Sequence, residues 1–340
     1  MAHKINFFLL FLIIALIMLA IPGCADKSTS SQSASIDENK TEALKITGGT
    51  ENNEIKSALA IETFLADITR NISGNRLIIY SLMPIGMDPH EFEPVPKDFA
   101  SISNNRILII NGSGFEGWLE QMLKNAGSSN YIIEASKGLG EISDFKSEND
   151  AQNINNGETA DKLSEIDPHF WLDPVYVIEY VKNISSELVK IDPGGKDIYE
   201  SNTQKYIEEL KNLDMWTRDR VSILPEGKRI IATNHESLGY FAKRYGFEIA
   251  GTIIPGFSTD VSITAREFAL LIETVRSSGV KVIFLETGAN PKLAEQLAEE
   301  TGIKVVYNLY THSLSDAGGN ASTYIDMMKF NVNTIVNNLQ

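Results

Sequence analysis

The chain has 340 residues, 43% of them hydrophobic, with 45 acidic against 30 basic residues and a net charge of −15 at pH 7. So acidic a chain argues against nucleic acid and anionic headgroups as partners and favours the gathering of cations. Its single cysteine, Cys24, excludes an internal disulfide and any cysteine-based zinc site, so a metal bound here is held by nitrogen and oxygen.

In chain order, Lys4 precedes an unbroken apolar run, Phe7 to Ile21, which is of secretory-signal length and short of the about 20 residues of a membrane span. The run ends in Ile21-Pro22-Gly23-Cys24, which resembles a bacterial lipobox and predicts a signal peptide over 1–23 with Cys24 as a lipidated new N-terminus. Its removal takes away only Lys4 among the charged residues, leaving the mature chain more acidic still. Residues 24–43, rich in Ser, Thr, Lys and Glu, read as a disordered tether.

Folding is expected to begin near Leu44. The run LKITGG is followed by a helix-like stretch from Glu54 to Ile72, apolar runs at 76–82 and 106–112, a helix around Phe115 to Asn125, and YIIEAS at 131–136. Such alternation reads as βαβ units around a parallel sheet, an α/β lobe over 44–193 carrying a polar surface loop at 144–165. Pro174 to Lys190 reads as a helix, broken by Asp192-Pro193-Gly194-Gly195. Within 194–224, a stretch from Lys196 to Ile223 free of Gly and Pro carries a stripe of Tyr199, Tyr206, Leu210, Leu213 and Val221, a linking helix of about 40 Å. From 225 to 340 the βα rhythm returns: RIIATN at 229–234, FEIAGTII at 247–254, a helix near Thr264 to Ser278, VKVIFLE at 280–286, a helix near Pro291 to Thr301, IKVVYNL at 303–309 and a closing helix from Ser322. The fold class is therefore α/β, two parallel-sheet lobes joined by one long helix.

Every histidine except His3 lies in one of four separate segments: His90 in MDPHEFEP, His169 in DPHFWLDP, His235 in ATNHESLGYFAKRYG and His312 in YTHSLS. His90, His235 and His312 each follow a predicted strand, at the edge where open α/β sheets bind ligands. With His169 on a loop beside the start of a helix, three imidazoles at such edges and this fourth predict one shared metal ion, since neutral imidazole is the commonest metal ligand. Asp88, Asp167 and Glu236 stand close by in sequence, as ring orienters or as turn formers. His235-Glu236 resembles the start of HExxH, but the fourth position onward is Gly239, so the zinc-hydrolase alternative lacks its second helical ligand.

The segments GMDPHEFEPVPKD, DPHFWLDP, YFAKRYG and FLETGANPKLAEQLAEETGIKV, in this order, resemble the zinc- and manganese-binding lipoproteins that serve ABC importers, most closely the zinc-uptake receptors. That resemblance implies two lobes on a rigid helix with the metal in the cleft between them. His90 and His169 match the two N-lobe histidines, His235 the third ligand, and His312 stands where an acidic residue is usual. An all-histidine set implies Zn2+ as cargo, with Mn2+ or iron as the same-family alternative; if His312 stands out, water or Asp316 completes the shell. The further implications are a monomer, an ABC permease and ATPase as partners, membrane contact through the lipid alone, and no enzymatic activity. Any adhesive role would be secondary to transport.

Overall fold

The computed structural model describes residues 56–126, 129–139 and 166–340. The predicted signal segment, Cys24, the tether, the LKITGG run and the polar loop at 144–165 lie outside the described residues.

The first sheet is built from β1 (Ser57–Ala60), β2 (Ile78–Ser81), β3 (Ile107–Ile110) and β4 (Tyr131–Glu134), all parallel, in the order β2-β1-β3-β4. Helices α1 (Thr63–Ser73), α2 (Pro96–Asn104) and α3 (Gly117–Ala126) connect these strands. The expected helix from Glu54 to Ile72 is thus corrected: its first part is strand β1, and helix begins only at Thr63. β1 is central, with Ala58, Leu59 and Ala60 all buried, and a short run covered on both faces lacks the alternation that separates strand from helix.

The second sheet repeats the plan. β5 (Ile230–Thr233), β6 (Glu248–Thr252), β7 (Val282–Glu286) and β8 (Lys304–Leu309) are parallel in the order β6-β5-β7-β8. Its helices are α6 (Gly239–Tyr245), α7 (Ala265–Ser278), α8 (Lys292–Thr301) and α9 (Tyr324–Leu339), while α4 (Pro174–Ile191) and α5 (Lys196–Val221) stand between the two sheets in sequence. Thr264 starts α7 with a capping box, its hydroxyl accepting the Glu267 N–H while the Glu267 carboxylate accepts the Thr264 N–H. In both sheets the first strand lies between the second and the third, so the chain reverses direction across the sheet at β1/β3 and β5/β7, and a crevice opens at the strand C-termini.

The 26-residue α5 is about 39 Å long. Its stripe of Tyr199, Tyr206, Leu210, Leu213 and Val221 is buried, and the rest of its surface is largely charged. One apolar cluster runs from Phe64 and Ile68 of α1 through Tyr180 of α4 and Leu210 of α5 to Phe284 of β7 and Val332 of α9. The two sheets therefore share a core along the long helix. At the start of α5, Asp192 accepts paired hydrogen bonds from Arg76, both 2.8 Å, and one from Tyr199 Oη at 2.6 Å, tying the break between α4 and α5 to the loop after α1. Among the described residues no helix is long and apolar enough to cross a membrane.

Two buried acids face one another at the C-terminal edge of the first sheet: Glu62 after β1 and Glu116 just ahead of α3. Glu116 accepts the N–H groups of Asn111, at 2.5 Å, and Gly112, at 3.0 Å. Burial pushes Glu116 up to about 7 against those hydrogen bonds, and burial together with the Glu116 charge raises Glu62 well above the usual range. The pair accordingly keeps a proton at neutral pH. Because the folded value lies above the ordinary 4.5, the stability gained from that proton is complete below 4.5 and is lost as pH rises through about 7. Glu116→Gln should flatten this dependence, so that wild type loses stability relative to the variant between about pH 5 and about pH 8 in urea unfolding. Parallel curves for the two proteins would contradict the shared proton.

Candidate metal centre

The two Asp-Pro-His tripeptides fold alike. In each, the aspartate accepts the backbone N–H of the histidine two residues on, Asp88 Oδ1 from His90 and Asp167 Oδ1 from His169, both at 2.9 Å, while the intervening proline has no N–H to compete. Gly86, at φ 79°, turns the chain out of β2 toward His90. After His169 a short 3-10 turn, Phe170–Leu172, leads to Asp173, which caps α4 by accepting the Val175 N–H at 2.9 Å.

His235 leaves β5 two residues past its end, and the Thr233 hydroxyl donates to its carbonyl at 2.9 Å. His312 leaves β8 three residues past its end. Between these exits β7 ends in Glu286, and the pairing of β7 with β8 slips there, from Phe284 opposite Val306 to Glu286 opposite Leu309, with Asn308 at φ 67°. Such an irregularity re-aims the side chain at a strand end, and asparagine is among the few residues that tolerate that backbone.

The four rings converge. Nε2 of His169 lies 3.3 Å from that of His90, 3.2 Å from that of His235 and 3.4 Å from that of His312, and all four ligand atoms fall within 4.8 Å of one another. A tetrahedron with metal–nitrogen distances of about 2.0–2.1 Å has edges of about 3.3–3.4 Å, so the three edges at His169 already have the span of a zinc-sized site. His169, His235 and His312 are buried and His90 is half-buried at the mouth. Phe115 closes the first-sheet side, with its ring 5.0 Å edge-on from His90 and 4.9 Å from Trp171. A cavity of about 860 Å³, lined by His90, Phe115, Trp118 and Phe257 with Glu91, Glu93 and Asp260, opens beside His90.

The far ring nitrogens of His169, His235 and His312 each face a carboxylate. Asp167 Oδ1 is 2.8 Å from Nδ1 of His169; Glu286 lies 2.8 Å from Nδ1 of His235 through Oε1 and 3.5 Å from Nδ1 of His312 through Oε2. Ser237 donates to the same Glu286 Oε1 at 3.0 Å. These contacts orient the rings with Nε2 inward. Of the three acids close in sequence, Asp167 orients a ring and Asp88 fixes the His90 turn while accepting from Thr259 Oγ1 at 2.8 Å. Glu236 and Asp316 are exposed, and neither belongs to the cluster. Glu286 is the residue the sequence reading passed over; an acid closing the fully apolar strand VIFL, at the edge where ligands bind, was its visible signal.

Burial holds His90 down to about 4, and burial with neighbouring imidazoles holds His169 and His312 well below the ordinary value. For His235 burial pulls downward too, but the charge and hydrogen bond of Glu286, with Asp88 and Asp167 adding, lift it above the ordinary value. Glu286 is correspondingly lowered: burial would raise it, and His235 and His312 outweigh burial. The centre thus presents three neutral rings and one that is readily protonated.

The family model described as zinc-uptake complex component A, periplasmic (ZnuA), matches residues 59–338. The manganese-binding lipoprotein MntA of Halalkalibacterium halodurans is 32% identical over 293 residues, covering 86% of this chain and 91% of that protein. Among solved structures, the periplasmic zinc binding protein TroA of Treponema pallidum superposes with a TM-score of 0.72 at 24% identity, covering 84% of this chain and 99% of that one. The Mn-bound periplasmic metal binding protein of Candidatus Liberibacter asiaticus gives 0.69 at 27% identity, covering 84% and 100%.

Replacement of Glu286 by Gln removes the charge that lifts His235 and leaves burial unopposed. In metal-free protein the His235 ring should then titrate below its wild-type value in an NMR pH series, and an unmoved His235 would show that another group sets it.

Proposed function

Because the chain belongs to the family of the periplasmic component A of zinc-uptake complexes, we propose that it is the extracytoplasmic receptor that captures zinc and delivers it to an ABC importer. The family is one of substrate-binding transport components, so the hydrolase alternative falls away. The observation that carries the zinc reading is the donor set: four imidazole Nε2 atoms converge, and the two nearby carboxylates, Asp167 and Glu286, are occupied at the far nitrogens. Imidazole suits zinc, whereas manganese prefers carboxylate and water oxygen. In this reading His90, His169, His235 and His312 are the four ligands and close the coordination sphere, as befits a carrier that performs no chemistry on its cargo.

A manganese receptor is the second reading, favoured by the name of the relative MntA. The ligand chemistry opposes it, since among the described residues no carboxylate oxygen enters the cluster. Loading follows from the ring protonation. Three rings are already neutral when the ion arrives, and His235 alone must shed a proton, which the Glu286 carboxylate otherwise favours. The acidic residues at the cavity mouth beside His90 draw cations toward the entrance. The receptor works as a monomer, hands the ion to a permease powered by an ATPase, and is tethered to the membrane by a lipid on Cys24.

Titration calorimetry of the chelator-stripped mature chain should find one zinc bound per chain, with manganese weaker by at least about tenfold. His312→Ala should weaken zinc by at least about tenfold, and affinity should fall as pH drops through the raised His235 value, where a proton competes with the ion. Tighter manganese than zinc would overturn the ligand argument. For the anchor, intact mass of receptor purified from membranes should match a chain starting at a diacylglycerol-bearing Cys24; any other N-terminus removes the lipid from the account.

A further inference from the structure

Among the described residues, the backbone of the loop that carries His312 is hydrogen-bonded to its own lobe near its two ends. Asn331 accepts the Tyr310 N–H at 2.9 Å and donates to the Tyr310 carbonyl at 2.5 Å, and the Ser315 N–H reaches the Ala321 carbonyl at 2.8 Å. Between these clamps the partners come largely from the first-sheet lobe. Trp171 Nε1–H donates to the Thr311 carbonyl at 2.6 Å. The Leu314 N–H donates to Thr63 Oγ1 at 2.9 Å, and Thr63 Oγ1 lies 3.4 Å from Ser313 Oγ. Ser313 Oγ in turn accepts the Gly86 N–H at 2.8 Å and donates to the Leu314 carbonyl at 2.9 Å. Thr63 and Ser313 are both buried, so water does not replace these bonds when one is removed.

We propose that Thr63 and Ser313 are positioning residues, a pair of hydroxyls by which the first lobe holds His312 in the metal centre, and so decides whether the bound ion has three imidazole ligands or four. The inference rests on the four-imidazole reading above. Thr63 is the first residue of α1 and Gly86 lies four residues before His90, so one hydroxyl pair joins the His312 loop both to the core of the first lobe and to the His90 loop. On its own lobe His312 Nδ1 meets Thr311 Oγ1 of its own loop at 3.3 Å and Glu286 at 3.5 Å, the latter longer than a hydrogen bond, against 2.8 Å between Glu286 and His235. Loosening the hydroxyl pair therefore frees His312 before it frees His235. An ion left with three imidazoles completes its shell with water, which is the coordination that admits metals other than zinc.

A double-mutant cycle on the mature chain tests this, with zinc affinity read by chelator competition and coordination read from the visible absorption of bound cobalt(II), intense in a tetrahedral site and weak in a higher-coordinate one. Thr63→Val should lower zinc affinity about tenfold and dim the cobalt band, Thr63→Ser should restore both, and Thr63→Val combined with His312→Ala should bind no more weakly than His312→Ala alone. Ser313→Ala, which leaves the Thr63–Leu314 bond in place, should shift both readouts in the same direction by less, and it carries the test if Thr63→Val does not fold. Losses that multiply in the double variant, or a cobalt band unchanged in Thr63→Val and Ser313→Ala, would overturn the proposal. Unchanged zinc affinity in His312→Ala would instead bring down the four-imidazole reading, and the positioning role with it.

Discussion

Four imidazoles can be packed against one another in an apolar crevice only if their outward nitrogens find partners, since each buried polar atom left alone costs about 1–3 kcal/mol. In the second lobe Glu286 answers that demand by charge and proximity, 2.8 Å from His235 Nδ1 and 3.5 Å from His312 Nδ1. One carboxylate, delivered by the last residue of β7, stands beside both His235 and His312 and also receives Ser237. Asp167 does the same for His169 and, with its other hydrogen bond, shapes the turn on which that ring is mounted. The geometry of the centre therefore depends on two buried acids that do not themselves belong to the converging cluster. Their electrostatic effect is unequal: His235 is kept easy to protonate while the other rings are held neutral.

At the same crevice the loops of the two sheets meet. Each sheet has the same strand order, so each offers a C-terminal edge flanked by loops, and the loops around the four histidines cross-bond. Tyr240 of α6 donates to the Asp167 carbonyl at 2.8 Å, Thr259 to Asp88 at 2.8 Å, and Trp171 to Thr311 at 2.6 Å. The loop of one lobe is thus shaped by side chains of the other. Behind them the continuous apolar cluster along α5 sets the frame on which those short bonds can be made.

Much of this was legible in the sequence because it depends on local pattern. The four histidine contexts, the βα rhythm and the stripe on α5 are periodicities and turn signals that survive without knowledge of tertiary contacts. Strand β1 was not legible: three of its four residues, Ala58, Leu59 and Ala60, are buried, and the following α1 extends a helical pattern backward over them. The roles of the acids were not legible either. Asp88 and Asp167 occupy identical Asp-Pro-His tripeptides, yet only Asp167 reaches its own ring, because that choice is made by packing around His169. Glu286 lies 51 residues from His235 and 26 from His312, so no spacing along the chain joins them.

The cluster along α5 also bears on how the molecule comes apart. Val332 and Tyr324 of α9, at the end of the chain, belong to the same apolar body as Phe64 and Ile68 near the start of the first lobe. A chain cut after α5 would leave those early residues without the helix that covers them, and the remaining fragment would expose α9. The two lobes look separable on a strand diagram, but their shared apolar body makes one joint unfolding the expected behaviour, and half of the chain is not a smaller copy of the whole.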